Sequence, residues 1–338
     1  MSVSYKFLVS IFLLIILSQC APNQEAEIHL SGPTMGTTYN IKYVPVADID
    51  STQLQQKIDA VLVEVNQLMS TYIQDSELSR FNQWQSTEAF PMSAETLSVM
   101  QEAKRLGELS AGLLDVTVGP LVNLWGFGPQ NRPDKVPSAE QISAAKNHIG
   151  LDKLQLTANS AIKSDPDLYV DLSTIAKGYG VDRVAELLAE QNINNYLVEI
   201  GGEMRLAGHK ANSNNWRVAI EKPLTTERAV EKIISVGDNA IATSGDYRIY
   251  FEEDGKRYSH LINPTTGYPI THNLVSVTVV HPSSMTADGL ATALTIMGKE
   301  LAMQVAEREQ LAVLLITKEE DGFKEYTSPM FAKIVTSN

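Results

Sequence analysis

Cysteine is almost absent from this 338-residue chain: the only one is Cys20, near the N-terminus. Disulfides and thiolate metal sites are therefore excluded from everything that follows it. A basic surplus is missing too. With 27 Lys and Arg against 40 Asp and Glu, the formal charge is −13, and the electrostatic footprint that a nucleic-acid partner requires is not there. An acidic chain of this kind can hold an anionic ligand only locally, through helix N-termini, a few placed cations or a divalent metal. No internal repeat or low-complexity tract is visible, which argues against solenoids and arrays. Nor does any apolar run comfortably reach the length of about 20 residues that a membrane-spanning helix needs.

The apolar run from Phe7 to Leu17 follows Lys6 and leads into Ser18, Gln19 and Cys20. That order reads as an export leader, with Cys20 where a bacterial lipoprotein signal carries its lipidated residue. An ordinary leader with a coincidental cysteine is the alternative, since Gln19 stands where a small residue is usual. The remainder has globular composition, 43% hydrophobic and 20% charged, and enough length to bury a large core. The expected organisation is a leader over residues 1–20, a short tether over 21–30 and a single α+β domain over 31–335, built of mixed or antiparallel sheets flanked by helices.

Periodicity supports that class. Tyr39, Ile41 and Tyr43 alternate as in a strand leaving the loop of residues 32–36, and Leu54, Ile58, Val61, Leu62, Val65 and Leu68 recur at helical spacing. A second helix is expected from Ser93, and a third from the capping box Ser138 to Gln141. Residues 115–129 are rich in glycine and aromatics and predict a shaped loop. After Leu154 the pattern is of short strands, interrupted by one helix after Asp171 and another after Thr286.

Several segments could carry chemistry. Asp288 and Thr292 lie four apart on a predicted helix, so both project from one face. A carboxylate and a hydroxyl are hard oxygen donors of the kind Mg2+ accepts. The spacing alone also fits a first-turn Asp that favours the helix dipole and a solvated Thr. Residues 171–180 break local rules: Lys177 puts a cation in a first helical turn, and Gly178 and Gly180 each cost about 1 kcal/mol relative to alanine. A site for an anionic ligand would explain this, and so would a tight helix–sheet crossing with a snorkelling lysine. His260, at the end of a strand, has the ordinary pKa of a general base, although a lone strand histidine is commonly structural. Ser244 and Gly245, like residues 199–203, sit at strand ends where ligand loops gather. Tyr72 offers an aromatic that could stack on a planar ring or simply occupy a turn.

No one of these segments names a function; their order along the chain is more telling. Residues 32–39 (GPTMGTTY), 70–72 (STY), 115–128 (DVTVGPLVNLWGFG), 171–179 (DLSTIAKGY), 199–203 (EIGGE), 242–247 (ATSGDY), 259–267 (SHLINPTTG) and 287–292 (ADGLAT) follow one another. The set resembles the ApbE family of FAD:protein FMN transferases from residue 32 to about residue 297. The resemblance implies a single ApbE-like, T-fold-like domain in a periplasmic, lipid-anchored enzyme. Such an enzyme uses Mg2+ and FAD to transfer FMN to a Thr or Ser hydroxyl of an acceptor protein, releasing AMP. The implied acceptors are flavin-bearing subunits of sodium-pumping NADH:quinone reductase or of Rnf-type complexes. Asp288 and Thr292 match metal ligands, with Thr174 adding its backbone carbonyl. Met35, Tyr72, Ile73, Gln74, Asp115, Lys177 and Ile262 match FAD-contacting positions, Tyr72 against the isoalloxazine. Ser244, Gly245 and His260 join that set as candidates from their own chemistry, and His260 and Asp288 are the candidate catalytic groups. An FAD pyrophosphatase releasing free FMN and AMP, or a non-catalytic FAD-binding lipoprotein, are the rival readings.

Overall fold

A computed structural model describes residues 27–129, 135–223, 230–246 and 249–337. The leader, Cys20 and Tyr247 of the 242–247 motif lie outside these residues. Among the described residues, no helix is long and apolar enough to cross a membrane.

The framework is an eight-stranded sheet in which every ladder is antiparallel. Its spatial order is Ile28–Thr34, Thr37–Tyr43, Tyr196–Ile200, Glu203–Ala207, Ala240–Gly245, Leu274–His281, Ala312–Glu319 and Gly322–Thr327. The first strand begins three residues ahead of the expected domain start, so the sheet reaches into the segment read as a tether. Much of the loop expected at residues 32–36 is also strand. The hairpin turn is only Met35 and Gly36, with φ of 48° and 71°, the left-handed pair that matches the twist of a two-residue hairpin. Beyond it the alternation is realised, with Tyr39, Ile41 and Tyr43 fully buried.

Two helices lie at the heart of the molecule. Ser284–Met297 packs on strands Ala240–Gly245 and Leu274–His281, and Ala176–Glu190 packs on it in turn. Ala176–Glu190 also meets Ser51–Met69, and these two helices share a core with the strand pair Thr37–Tyr43 and Tyr196–Ile200. Helix Ala94–Leu109 closes the other side of Ser284–Met297 and belongs to the largest apolar cluster. Ser93 and Ser138 cap their helices as the sequence suggests, the latter through a complete capping box, and Asp50 caps Ser51–Met69. The predicted loop at 115–129 contains a short helix, Gly119–Leu124, with a proline in its first turn.

Helix Ser284–Met297 differs from expectation in an instructive way. The spacing of Asp288 and Thr292 implies one polar face, yet every residue from Thr286 to Ile296 is buried. Covered on all sides by sheet and helices, it has no solvated face to offer Asp288 or Thr292. It also starts earlier than predicted. Ser283 is its N-cap and accepts from Thr286 N–H, while Asp182 of the neighbouring helix accepts from the N–H groups of Ser284 and Met285 and from Ser283 Oγ. Asp288 thus sits a full turn inside the helix, beyond the first-turn positions that the dipole rewards.

The glycines that broke helix propensity are explained by packing. A Cβ on Gly178 would lie 2.3 Å from the Ser284 carbonyl oxygen and 2.8 Å from Asp288 Cβ, and one on Gly180 would lie 2.7 Å from Met35 Cε. Gly178 therefore serves a helix–helix crossing rather than the helix–sheet crossing first considered. Gly178→Ala is expected to push the two helices apart against backbone that cannot yield, at a cost of about 1–3 kcal/mol. A lowered midpoint in thermal or urea unfolding, with an unchanged midpoint for an exposed control substitution in Ser51–Met69, checks this.

Candidate functional site

The closely packed crossing places the start of Ala176–Glu190 against Asp288. Gly178 N–H, one of the helix's free N-terminal donors, gives a 2.9 Å hydrogen bond to Asp288 Oδ2. The preceding residue turns its side chain to the same place: Lys177 Nζ lies 3.7 Å from Asp288 Oδ1 and 3.1 Å from Glu203 Oε1. A cation in a first helical turn opposes the dipole, and here two carboxylates outweigh that opposition. Asp288 and Glu203 are each only 5% exposed. Burial raises both carboxyls, Glu203 to about 7 against the attraction of Lys177, while Lys177 itself is raised by the two carboxylates despite its own burial.

Two polar atoms near this triad have no hydrogen-bond partner although they are buried, Thr174 Oγ1 and Glu203 Oε2. Native structures rarely leave such atoms unmatched, so orphans beside a cavity indicate a place built for a ligand. The cavity is present. It measures about 490 Å3 and is lined by Tyr72, Asp115, Thr174, Lys177, Glu203, Ser244, Gly245, His260, Ile262, Asp288 and Thr292, among others. Tyr72 is 70% exposed, as a stacking platform should be.

Of the residues expected from sequence, Met35, Ile73 and Gln74 do not line this cavity; Met35 instead packs beneath Gly180. Thr174 precedes helix Ala176–Glu190 and sits on the cavity wall. Asp115 is braced, its Oδ1 accepting from Thr117 N–H at 2.7 Å and from Thr117 Oγ1 at 2.6 Å, and burial raises its pKa.

His260 follows strand Lys256–Ser259 and is oriented from behind. Its Nδ1 lies 3.1 Å from the Ile249 carbonyl oxygen, an arrangement that takes the proton on Nδ1 and leaves Nε2 free to accept. Burial is the main influence on its pKa, which falls below 6.5. Phe127 meets the ring in a T-shaped contact with centroids 6.3 Å apart. Trp125, in the same aromatic segment, donates from Nε1 to the Gly267 carbonyl at 2.9 Å, so the glycine-rich 115–128 motif and the 259–267 motif brace one another.

Glu203 was not singled out from sequence. Its segment, residues 199–203, stands out in sequence as one of the ordered motifs and for glycine and polar groups at a strand end, and the glycines are the signal: Gly201 and Gly202 have φ of 59° and 111° and turn Tyr196–Ile200 into Glu203–Ala207. Among the described residues, one group elsewhere has metal-like spacing, His148 with Asp165 and Asp167. His148 Nδ1 is already 2.9 Å from Asp165, and Lys153 Nζ lies 3.7 Å from the same carboxylate oxygen. None of the three lines the cavity that holds Asp288.

Comparison with known proteins identifies the frame of this site. The model of the ApbE family matches residues 35–315, most of the chain. The chain belongs to the ApbE family. Relatives named FAD:protein FMN transferase include one from Vibrio cholerae, 58% identical over 96% of this chain and 98% of its own length. Another, from Haemophilus influenzae, is 51% identical over 94% of each chain. Among solved structures, the flavin transferase ApbE from Vibrio cholerae superposes with a TM-score of 0.86 at 57% identity, covering 91% of this chain and 99% of that one. The fold class read from the sequence is thereby borne out: this is one α+β domain of ApbE type.

Glu203 makes the metal-free protein pH-sensitive. Its folded pKa, about 7, exceeds its ordinary 4.5, so the stability its neutral form contributes is fully present below about pH 4.5 and lost as pH rises through about 7. Thermal unfolding midpoints measured across that window should carry this fall for the parent, and Glu203→Gln should flatten it.

Proposed function

We propose that this chain transfers the FMN half of FAD to a Thr or Ser hydroxyl of an acceptor protein and releases AMP, with Mg2+ in the site. One observation carries the reading: Asp288, Thr292, Thr174, Lys177 and His260 line a single cavity with the exposed Tyr72. The donors fit a hard divalent cation, being oxygens only, with one buried carboxylate, and Thr174 Oγ1 stands nearby without a partner. Asp288, Thr292 and the Thr174 carbonyl would hold the ion, leaving the other positions to water and phosphate oxygens. Mg2+, when bound, supplies positive charge that neutralises the diphosphate.

The protein's own groups do the rest. Tyr72 supports the isoalloxazine ring at the cavity mouth, and Lys177 presents its ammonium to the diphosphate. The acceptor hydroxyl forms a bond to the FMN phosphorus as the bond from that phosphorus to the AMP oxygen breaks. His260 Nε2 takes the hydroxyl proton, a role its lowered pKa keeps available at neutral pH. The acceptors are proposed to be flavin-bearing subunits of sodium-pumping NADH:quinone reductase or Rnf-type complexes. The Lys6 to Leu17 leader and Cys20 support export to the periplasm and anchoring through a lipid.

Incubation with FAD, Mg2+ and an acceptor domain, followed by intact-mass analysis, should give one esterified FMN per acceptor and one AMP. Free FMN with an unmodified acceptor would identify a pyrophosphatase instead, and FAD recovered whole would identify a storage protein. Asp288→Ala should lower transfer by about 10²–10³-fold. His260→Ala should lower it by about 10²–10⁴-fold while still binding FAD. In the parent the rate should fall as pH drops through the lowered histidine pKa, below 6.5. A rate that stays level on the acid side would remove His260 from the base role.

A further inference from the structure

The metal ligand Asp288 is already occupied. Lys177 Nζ stands 3.7 Å from its Oδ1, and an ammonium and a divalent cation competing for one carboxylate oxygen repel each other at such range. A site that kept Lys177 on Asp288 would resist the ion it is built to bind. Yet the same ammonium lies closer to Glu203, 3.1 Å from Oε1, and the second oxygen of that carboxylate, Oε2, is buried with no hydrogen-bond partner. Two carboxylates face one ammonium, so the group offers more acidic oxygens than the lysine can pair, which leaves donors for a further cation.

We propose that Glu203 is a positioning residue that draws the Lys177 ammonium off Asp288, freeing that carboxylate for a divalent cation while Lys177 remains beside the site as a second positive charge. This inference rests on the Mg2+ reading above and adds a residue to it. Glu203 can receive Lys177 because Oε2 offers an empty acceptor beside the one already used, so the ammonium need move only about its own terminal bonds. The Gly201–Gly202 turn sets where Glu203 stands. A Cβ on Gly201 would come within 2.9 Å of Thr37 Cγ2 at a φ of 59° that side chains rarely adopt, while Lys177 Cδ lies at ordinary contact distance, 3.6 Å. The turn thus brings the lysine stem and the Glu203 carboxylate side by side, and Glu203 holds the charge.

The test is Mn2+ binding to FAD-free protein, followed by calorimetry and by loss of the free-ion EPR signal, for the parent, Glu203→Gln, Lys177→Met and the double variant. Glu203→Gln should weaken Mn2+ binding by about tenfold, because Lys177 then has only Asp288 to pair with. Lys177→Met should bind Mn2+ at least as tightly as the parent. In the Lys177→Met background, Glu203→Gln should change affinity by less than about twofold, since no ammonium is left to relocate. An unchanged affinity for Glu203→Gln overturns the proposal. So does an equal loss in both backgrounds, which would mean that Glu203 acts only through its field, and so does weakened binding in Lys177→Met. A parent that binds no Mn2+, or an Asp288→Ala variant that binds it normally, refutes the metal reading itself and is distinct from those results. If thermal melting shows that Glu203→Gln is unfolded, Glu203→Asp and Lys177→Met decide. The shorter acid should lose affinity, though less than the tenfold above, and a parental affinity for it counts against the proposal.

Discussion

Everything at this site depends on one buried carboxylate held between two helices. Asp288 receives the Gly178 N–H from the start of Ala176–Glu190 while projecting from the interior of Ser284–Met297. That hydrogen bond exists only because residue 178 has no side chain and the helix backbones can touch. Once in place, it brings an unsatisfied helix N-terminus, an ammonium and a carboxylate within a few ångströms of each other in a cavity wall. A buried charge demands compensation. Lys177 supplies it from one helix, and Glu203 brings a second carboxylate from the sheet to share the same ammonium.

The sheet contributes precision rather than chemistry. Strand pairing from Thr37–Tyr43 through Tyr196–Ile200 to Glu203–Ala207 fixes where the Gly201–Gly202 turn falls, and hence where Glu203 emerges. Strands Ala240–Gly245 and Leu274–His281 carry the buried helix that bears Asp288 and Thr292. Opposite them, the aromatic cluster of Trp125, Phe127, Phe251 and Tyr258 steadies the segment that presents His260. Rigid elements thus hold the charged groups of the cavity wall, and Tyr72 stays exposed.

Some of this was plain in the chain itself. The alternation of Tyr39, Ile41 and Tyr43, the capping residues Ser93 and Ser138, and the helical spacing from Leu54 to Leu68 are local signals, because strand pleat, capping and helix period act over a few residues. The order of glycine-bearing motifs pointed to the family through their combination. Less legible were the burial of Ser284–Met297 on every face, which is set by strands and helices gathered from across the chain, and the contact that Gly178 serves, whose partner lies over a hundred residues away in sequence. Met35 illustrates the limit: its left-handed turn with Gly36 is local, but its packing under Gly180 is not.

By itself the sequence determined the α+β class, the absence of thiol chemistry beyond Cys20, the acidic character that confines anion binding to placed groups, and the identity of Asp288, Thr292, Lys177 and His260 as candidates. Only the tertiary structure decided that these residues share one cavity, that Asp288 lies a turn inside a wholly buried helix, and that Glu203 competes for the lysine. The reason is physical. Periodicity and capping are settled by neighbours along the chain, whereas the charge state and partners of a buried group are settled by whatever the fold brings within a few ångströms of it.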